Sequence, residues 1–399
     1  MTLETTPTPV ASGRRLSVAP MMDWTDRHCR VFHRQITKHT WLYTEMVTTG
    51  ALVYGDVERH LRFDGIEHPI ALQLGGSEPA DLAKAAKLGQ DWGYDEINLN
   101  CGCPSERVQR GAFGACLMNE PQLVADCVKA MRDAVSIDVT VKHRIGIDKN
   151  EDYGFVRDFV GTIADAGCRT FIVHARNAVL KGLSPKENRE IPPLRYEVAY
   201  QLKREFPALE IIINGGIKTD DEIALHLQHL DGVMLGREAY HNPYSMVNWD
   251  ARFYGDTAVP KTRAEVLAAM VPYISEQLAQ YGGFGLKLNS ITRHMLGLTA
   301  GLPGARVFRQ MLSDPKKLAT ADPRLLVRQS FEEVASALES ARVVQEEAAG
   351  ALQQGKMDDA FALLSEIVGV WDAVRRVVEQ GPALIGARYA AFKLTPGDG

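Results

Sequence analysis

The 399-residue sequence lacks the features that mark membrane and secreted proteins. It contains no run of about 18 apolar residues, so no transmembrane helix is expected. Its first residues, MTLETTPTPVASG, have no basic segment followed by an apolar one, which argues against a secretion signal and predicts a short disordered lead over 1–13. Six cysteines are too few for a disulfide framework in a chain of this length. We therefore expect reduced thiols and a cytoplasmic location.

Excess positive charge is also absent, because 45 basic residues face 50 acidic ones and the formal net charge is −5. This balance argues mildly against a surface adapted as a whole to nucleic acid, although it leaves room for a local basic patch. One segment has that character: residues 286–309 include Lys287, Arg293, Arg306 and Arg309 and no acidic residue.

Short apolar runs alternate with amphipathic helical patterns as far as about residue 254. The runs are SVAPM (17–21), WLYTEM (41–46), PIALQL (69–74), EINLN (96–100), VTVKHR (139–144), TFIVHA (170–175), EIIINGG (210–216) and GVMLGR (232–237). Their nearly continuous apolar character is typical of parallel strands that are covered on both faces. Eight strand–helix repeats in about 230 residues predict an α/β fold, a (β/α)₈ TIM barrel, with a doubly wound sheet as the rival.

Only helical patterns follow the barrel. We predict a barrel domain over 14–254, an all-α domain over 255–339 and an additional helical extension of unassigned role over 340–399. Acidic residues match or outnumber basic ones in the extension, which argues against direct contact with RNA there.

Polar residues gather where the apolar runs end, and a TIM barrel places its chemistry at the C-terminal ends of its strands. These residues are Met21, Met22, Gln73, Asn98, Asn100, Lys142, His174, Asn214, Gly215, Gly216, Gly236 and Arg237. The glycines after the last two strands allow backbone N–H groups to approach a phosphate, and Arg237 adds a fixed donor. The implied ligand is a phosphorylated cofactor that lies across the barrel mouth.

Lys142 continues a buried strand, so its charge requires a polar cavity. It can supply positive charge near N1 of a flavin, and Gln73 can supply a hydrogen-bond partner. A Schiff-base lysine of an aldolase fits the same place. His174 is either a buried histidine with its own partners or a site residue that faces the same mouth.

The six cysteines divide into two kinds. Cys29, Cys127 and Cys168 lie on helical patterns and are predicted to be small buried apolar residues, whereas Cys116 is left unassigned. Cys101 and Cys103 form C-x-C without a second pair nearby, which disfavours a zinc site, and no other metal site is expected. Cys103 follows a strand and precedes a proline that ends pairing, so its thiol is predicted to project at the mouth as a nucleophile or a proton donor.

Several long motifs resemble the tRNA-dihydrouridine synthases over about residues 14–335. They are APMMDWTDRHCR (19–30), NLNCGCPSERVQRGAFGACLM (98–118), VKHRIGID (141–148), HARNAVLKGLSPKENREIPPLRY (174–196), INGGI (213–217) and GVMLGREAYHNP (232–243). Within that family, LKGLSPKENREIPPL resembles the bacterial A subfamily, which acts at U20 and U20a of the tRNA D-loop. The resemblance implies that uridine in tRNA is reduced to 5,6-dihydrouridine, with FMN as cofactor and NADPH as reductant.

The resemblance also implies roles for individual residues. Reduced FMN would give hydride to uracil C6, and Cys103 would protonate C5. The FMN contacts would be Pro20, Met21, Met22, Gln73, Lys142, His174, Asn214, Gly215, Gly216, Gly236 and Arg237. The tRNA contacts would be Asn100, Lys186, Arg189, Arg306 and Arg309.

Three other function classes stay open at this point. A flavin oxidoreductase similar to dihydroorotate dehydrogenases would act on a free pyrimidine, but it would need neither the helical domain nor the basic segment. An aldolase-type lyase would use Lys142, and a yellow purified protein would argue against it. An RNA-binding protein without catalysis would tolerate Cys103→Ala. No dinucleotide-binding glycine motif is present, which fits a reductant that visits the flavin and leaves.

Overall fold

The computed structural model describes residues 13–105, 108–109 and 111–320. The predicted disordered lead therefore lies almost wholly outside the described residues, as do the helices predicted after residue 320 and the extension over 340–399. No helix in the described part combines the length and apolar character needed to cross a lipid bilayer.

Nine short strands form one parallel sheet in the described residues. They are β1 (Leu16–Val18), β2 (Trp41–Tyr43), β3 (Val47–Thr48), β4 (Ile70–Gly75), β5 (Glu96–Cys101), β6 (Asp138–Arg144), β7 (Thr170–His174), β8 (Glu210–Asn214) and β9 (Gly232–Leu235). The sheet closes because β1 pairs with both β2 and β9. Strands β2 and β3 both pair with β4 and together occupy one strand position of the barrel. The barrel therefore has eight strand positions, which confirms the TIM-barrel prediction.

The helices after the strands have these bounds: α1 (Arg27–Ile36), α2 (Thr49–Val53), α3 (Val57–Leu61), α4 (Pro79–Asp91), α5 (Pro121–Ala134), α6 (Tyr153–Asp165), α7 (Tyr196–Glu205) and α8 (Asp220–His226). Helix α8 begins with a capping box, in which Thr219 accepts from the backbone N–H of Glu222 and the Glu222 carboxylate accepts from that of Thr219. This cap satisfies N–H groups that have no partner inside the helix.

One prediction about a cysteine was wrong in its local structure. Cys168 does not lie on a helix but in the turn between α6 and β7, although it is fully buried as expected. The helical pattern is interrupted at Gly167, whose φ of 101° is a left-handed conformation that glycine adopts readily. Cys29 and Cys127 are buried on α1 and α5 as predicted.

The described residues divide into two compact units. The first comprises 13–31, 38–238 and 249–256 and contains the barrel strands, and the second comprises 32–37, 239–248 and 257–320. The remaining helices are α9 (Arg237–His241), α10 (Trp249–Tyr254), α11 (Arg263–Tyr281), α12 (Leu288–Thr292), α13 (Ala305–Ser313) and α14 (Pro315–Thr320). The described residues from 257 onward contain helices and no strand, in agreement with the all-α prediction.

The second unit has a core of its own. Arg263, at the start of α11, stacks its guanidinium 3.7 Å from the ring centre of Tyr244 and donates to the carbonyl of Leu298 at 2.9 Å. Phe308 and Leu312 on α13 are fully buried, whereas Arg306 and Arg309 on the same helix are exposed. Alternation of this kind places the basic residues of the helix on its solvent face.

Candidate active site

A chain of amides crosses the inside of the barrel near its mouth, which is the end where the strands finish. The Gln73 amide nitrogen donates to Asn98 Oδ1 at 2.8 Å, and Asn98 Nδ2 donates to Thr140 Oγ1 at 2.8 Å. Asn100 Nδ2 donates to Gln73 Oε1 at 2.9 Å. Asn98 and Asn100 face the same side because side chains alternate along a strand. Both ends of the Gln73 amide are thus oriented by neighbours.

Lys142 lies on the next strand and also faces the interior. Its Nζ donates to Asn214 Oδ1 at 3.0 Å, and Asn214 Nδ2 donates to the carbonyl of Met234 at 2.8 Å. Burial lowers the pKa of Lys142 to about 7, and the positive charge of Arg144 acts in the same direction. A lysine of this kind gains most from a negatively charged ligand, because such a ligand restores the ammonium.

The lowered pKa of Lys142 predicts a pH-dependent stability. Between about 7 and the ordinary value of 10.5, the unfolded chain binds a proton that the folded chain has released. Stability of the ligand-free protein should therefore rise with pH across this range, and the cost of charging Lys142 should be complete below it. We expect Lys142→Met to stabilise the ligand-free protein at neutral pH and to weaken the binding of an anionic ligand at the mouth.

Chemical denaturation at pH values across that range measures how the free energy of unfolding changes with pH in wild type and in Lys142→Met. The matched control is Lys87→Met, because Lys87 is an exposed lysine that pairs with Asp91. Wild type and Lys87→Met should share the slope. Equal slopes in wild type and Lys142→Met would contradict the prediction.

Two glycines form a close approach after β8. Gly215 and Gly216 have φ values of 122° and 74°, which side-chain-bearing residues rarely adopt. A Cβ on Gly216 would lie 2.6 Å from Leu194 Cδ1, so a side chain at this position would also require Leu194 to move. The Tyr196 hydroxyl donates to the carbonyl of Gly215 at 2.6 Å and holds the turn. The turn leaves backbone free to approach a phosphate group.

His174 offers an unused polar atom beside these glycines. Its Nδ1 is buried and makes no hydrogen bond to any residue that the structure describes. Burial lowers the pKa of His174 well below its usual value, with Arg144 and Lys142 acting in the same direction, so the ring is neutral at pH 7. A buried polar atom of this kind is costly unless a ligand satisfies it. The histidine therefore fits a polar cofactor in the mouth.

Arg237 follows β9 and its side chain is two-fifths exposed. It donates to Glu190 Oε1 at 2.7 Å and to the carbonyl of Arg189 at 3.3 Å. Gly236 lies beside the loop after β1, since a Cβ there would approach Met21 Sδ to 3.6 Å. In that loop Thr25 Oγ1 accepts from the backbone N–H of Met21 at 2.9 Å. The predicted cofactor residues after β1, β8 and β9 thus stand at the same end of the barrel, including Pro20 and the exposed Met22.

Cys103 follows β5 at the mouth, and hydrogen bonds to the Asn100 side chain fix its backbone. Asn100 Oδ1 accepts from the backbone N–H groups of both Gly102 and Cys103 at 3.0 Å. The Cys103 thiol is partly exposed and lies 3.5 Å from Ser105 Oγ. Cys101, by contrast, is fully buried, and burial raises the pKa of its thiol well above the usual value. Of these two thiols, only Cys103 is placed to react.

The neighbours of Cys103 are positively charged. Burial lowers the pKa of Arg144 to about 10, and a charge on the Cys103 sulfur acts in the opposite direction. Burial also lowers the pKa of Lys142 and Arg189, and a charge on the same sulfur acts against both shifts, so these three cations form the electrostatic surroundings of Cys103. Sequence reasoning missed Arg144. Its period-two spacing from Lys142 in VTVKHR was the signal, because residues two apart on a strand share a face.

Four of the five predicted tRNA contacts fall into two groups. Lys186 and Arg189 lie on the loop after β7, at the barrel mouth, and both are exposed. Arg306 and Arg309 lie on α13 in the second unit. Asn100 is only 9% exposed, and its side chain is occupied by Gln73 and the backbone next to Cys103.

Comparison with known proteins agrees with this geometry. The model of the family described as dihydrouridine synthase (Dus) matches residues 17–336. The chain is 60% identical over 329 residues to the tRNA-dihydrouridine(20/20a) synthase of Pseudomonas aeruginosa, a match that covers 82% of this chain and 98% of the relative. It is 58% identical over 311 residues to the Synechocystis protein of that name, covering 78% and 92%. The predicted extension over 340–399 lies beyond the family match. The chain belongs to the dihydrouridine synthase family, whose enzymes are flavin-dependent oxidoreductases.

Proposed function

We propose that this protein binds FMN and uses NADPH to reduce uridine to 5,6-dihydrouridine in the D-loop of tRNA, at U20 and U20a. The observation that carries the proposal is a partly exposed thiol, Cys103, placed beside Lys142 and the amides of Asn100 and Gln73 at one barrel mouth. The positions U20 and U20a are supported by the names of relatives about 60% identical to this chain.

The residues at the mouth fit FMN. Gly215, Gly216, Gly236 and Arg237 would hold the phosphate, since they combine close backbone approach with a guanidinium. Gln73, Lys142 and Asn214 would contact the polar edge of the ring, and the free Nδ1 of His174 provides a further site. The loop of Pro20, Met21 and Met22 would cover the cofactor. When bound and reduced, FMN supplies the hydride that uracil accepts at C6.

The chain itself supplies the proton. Cys103 donates the thiol proton to C5 of the uracil and takes it back from solvent after the product leaves. Asn100 fixes the backbone of Cys103 through two N–H bonds, so the sulfur is held in a defined place before substrate arrives. Lys142 would place positive charge beside the polar edge of the bound flavin ring. The target uridine must leave its stack to reach this mouth.

Recognition of tRNA would use both described units. Lys186 and Arg189 would bind phosphates beside the barrel mouth, and Arg306 and Arg309 would do so from the helical domain, which we place at 255–339. Binding through phosphates predicts an affinity that falls steeply with salt. Because the proposed substrate is tRNA, we also propose that the enzyme works in the cytoplasm.

Dihydrouridine mapping tests the proposed function. Purified enzyme is incubated with unmodified tRNA and either NADPH or NADH, and nuclease fragments are analysed by mass spectrometry. We expect a gain of two hydrogens at U20 and U20a, faster with NADPH. Products elsewhere in the D-loop would refute the proposed positions, and no product from flavin-loaded protein would refute the proposed reaction.

A further inference from the structure

Two loops at the barrel mouth are joined by hydrogen bonds from side chains to which the proposed function gives no role in catalysis or in RNA binding. The cysteine loop, of which the structure describes residues 102–105, 108–109 and 111–114, carries Cys103, and the basic loop (175–195) carries Lys186 and Arg189. Gln109 Nε2 donates to the carbonyl of Pro104 at 2.7 Å and to that of Leu180 at 3.1 Å. One amide group thus binds both loops.

Arg144 makes a second connection between the same loops. Its Nε donates to the carbonyl of Gly102 at 3.1 Å, and its Nη1 donates to the carbonyls of Asn177 and Asn188 at 3.2 and 2.9 Å. Arg144 is only 4% exposed, so its guanidinium is enclosed by these acceptors. The carbonyls of Gly102 and Pro104 flank Cys103 on both sides, and each is tied to the basic loop.

The basic loop is stiff enough to transmit such a connection. Asn188 is fully buried and forms a pair of hydrogen bonds with the backbone of Val179, each 2.8 Å long. Asp148 Oδ1 accepts from the backbone N–H of Leu180 at 2.8 Å, next to the site that Gln109 binds. Asn188 also stands between Lys186 and Arg189 in the chain. A phosphate bound by Lys186 and Arg189 would therefore act on the same loop backbone to which Gln109 and Arg144 donate hydrogen bonds.

We propose that Gln109 and Arg144 are positioning residues that couple the docking of RNA on the basic loop to the placement of the Cys103 thiol. The inference rests on the proposed function, in which Cys103 is the proton donor and the basic loop contacts tRNA. Gln109 is the better probe of the two, because it does not carry a charge and, within the described part of the chain, its side chain donates to the carbonyls of Pro104 and Leu180 alone.

The size of the effect follows from how proton transfer depends on geometry. A general acid must stand within hydrogen-bond reach of the atom it protonates, and a displacement of about 1 Å can lower a rate by about a hundredfold. Gln109→Met keeps the length of the side chain and its neutrality but removes both donors. We expect it to lower turnover at saturating tRNA by about tenfold to a hundredfold and to leave the KM for tRNA within about twofold.

The experiment compares Gln109→Met with Gln228→Met, the same change at an exposed glutamine in the turn before β9. Turnover and KM are measured with unmodified tRNA, and bound-flavin absorbance and melting temperature verify the fold. Gln109→Glu, which keeps the shape but cannot donate, serves if the methionine variant does not fold. A fall in turnover with unchanged KM would support the coupling. Unchanged turnover, or a raised KM with full turnover at saturation, would overturn it.

Cys103→Ala distinguishes this inference from the proposed function. If Cys103→Ala abolishes turnover while Gln109→Met has no effect, the coupling alone is wrong. If neither variant affects turnover, Cys103 is not the proton donor and both statements are wrong.

Discussion

Cys103→Ala is expected to lower the rate of dihydrouridine formation by about two to four orders of magnitude, the range typical for loss of a positioned general acid. Flavin binding should be unchanged, because the contacts of Cys103 are to Ser105 and to the amide oxygen of Asn100 rather than to the glycines after β8 and β9. The measurement is single-turnover formation of dihydrouridine by enzyme whose flavin has been reduced beforehand.

Cys116→Ala is the matched control. Cys116 is the other partly exposed thiol of the described residues, but it donates to the carbonyl of Phe113 at 3.1 Å, and burial raises its pKa. Removing the Cys116 thiol should leave the rate of dihydrouridine formation within about twofold, because small uncharged substitutions rarely affect a site that they do not contact. A Cys103→Ala enzyme with nearly normal rate would assign the proton to another group.

Arg14→Met is expected to have the largest effect on stability. At the end of the barrel where the strands begin, Arg14 Nε donates to Glu96 Oε2 at 2.6 Å, and its two terminal nitrogens pair with Asp138 at 2.6 Å and Glu210 at 3.2 Å. Glu96 is fully buried and also accepts from the Tyr43 hydroxyl at 2.8 Å. Removing one partner of a buried ion pair leaves an uncompensated charge, which costs about 3–5 kcal/mol.

The loss in Arg14→Met should depend on pH. Burial raises the pKa of Glu96, and Arg14 is the main group that opposes this shift, so the variant raises it further. A carboxyl with a raised pKa destabilises the fold at pH values above its ordinary pKa, where the unfolded chain is ionised. Urea denaturation should therefore show a smaller loss in mild acid than at neutral pH.

Two further variants test the origin of the stability loss. Arg14→Met combined with Glu96→Gln should regain part of the stability, since the buried charge is then gone. Arg157→Met should change stability far less than Arg14→Met, because Arg157 forms an exposed pair with Asp158 that solvent screens. A loss in Arg14→Met no larger than that in Arg157→Met would contradict the assignment.

The barrel was predictable from sequence because parallel strands that are covered on both faces leave continuous apolar runs. The second run, WLYTEM, shows the limit of this signal. Only Trp41–Tyr43 of this run forms a strand, β2, and β3 begins after the run at Val47. Between the two strands the Thr44 hydroxyl accepts from the backbone N–H of Gln73 at 3.0 Å and donates to the carbonyl of Glu45 at 2.7 Å. A side chain here replaces the regular ladder, and composition does not reveal that replacement.

The site was predictable where function places residues at strand ends, and less so where partners lie far apart in sequence. Lys142, His174 and Asn214 are found by asking what ends a strand. The link from Arg144 to Gly102 spans 42 residues, and that from Gln109 to Leu180 spans 71. No local pattern encodes such pairs, because they form only when the fold brings two loops together.

Reoxidation of the bound flavin by tRNA tests the central claim most directly. The flavin of the purified protein is reduced without oxygen, the excess reductant is removed, and unmodified tRNA is added while the absorbance of oxidised flavin is followed. We expect the absorbance to return with one dihydrouridine formed per flavin, and we expect tRNA that already carries dihydrouridine to have no effect. Reoxidation by free pyrimidines but not by unmodified tRNA would contradict it.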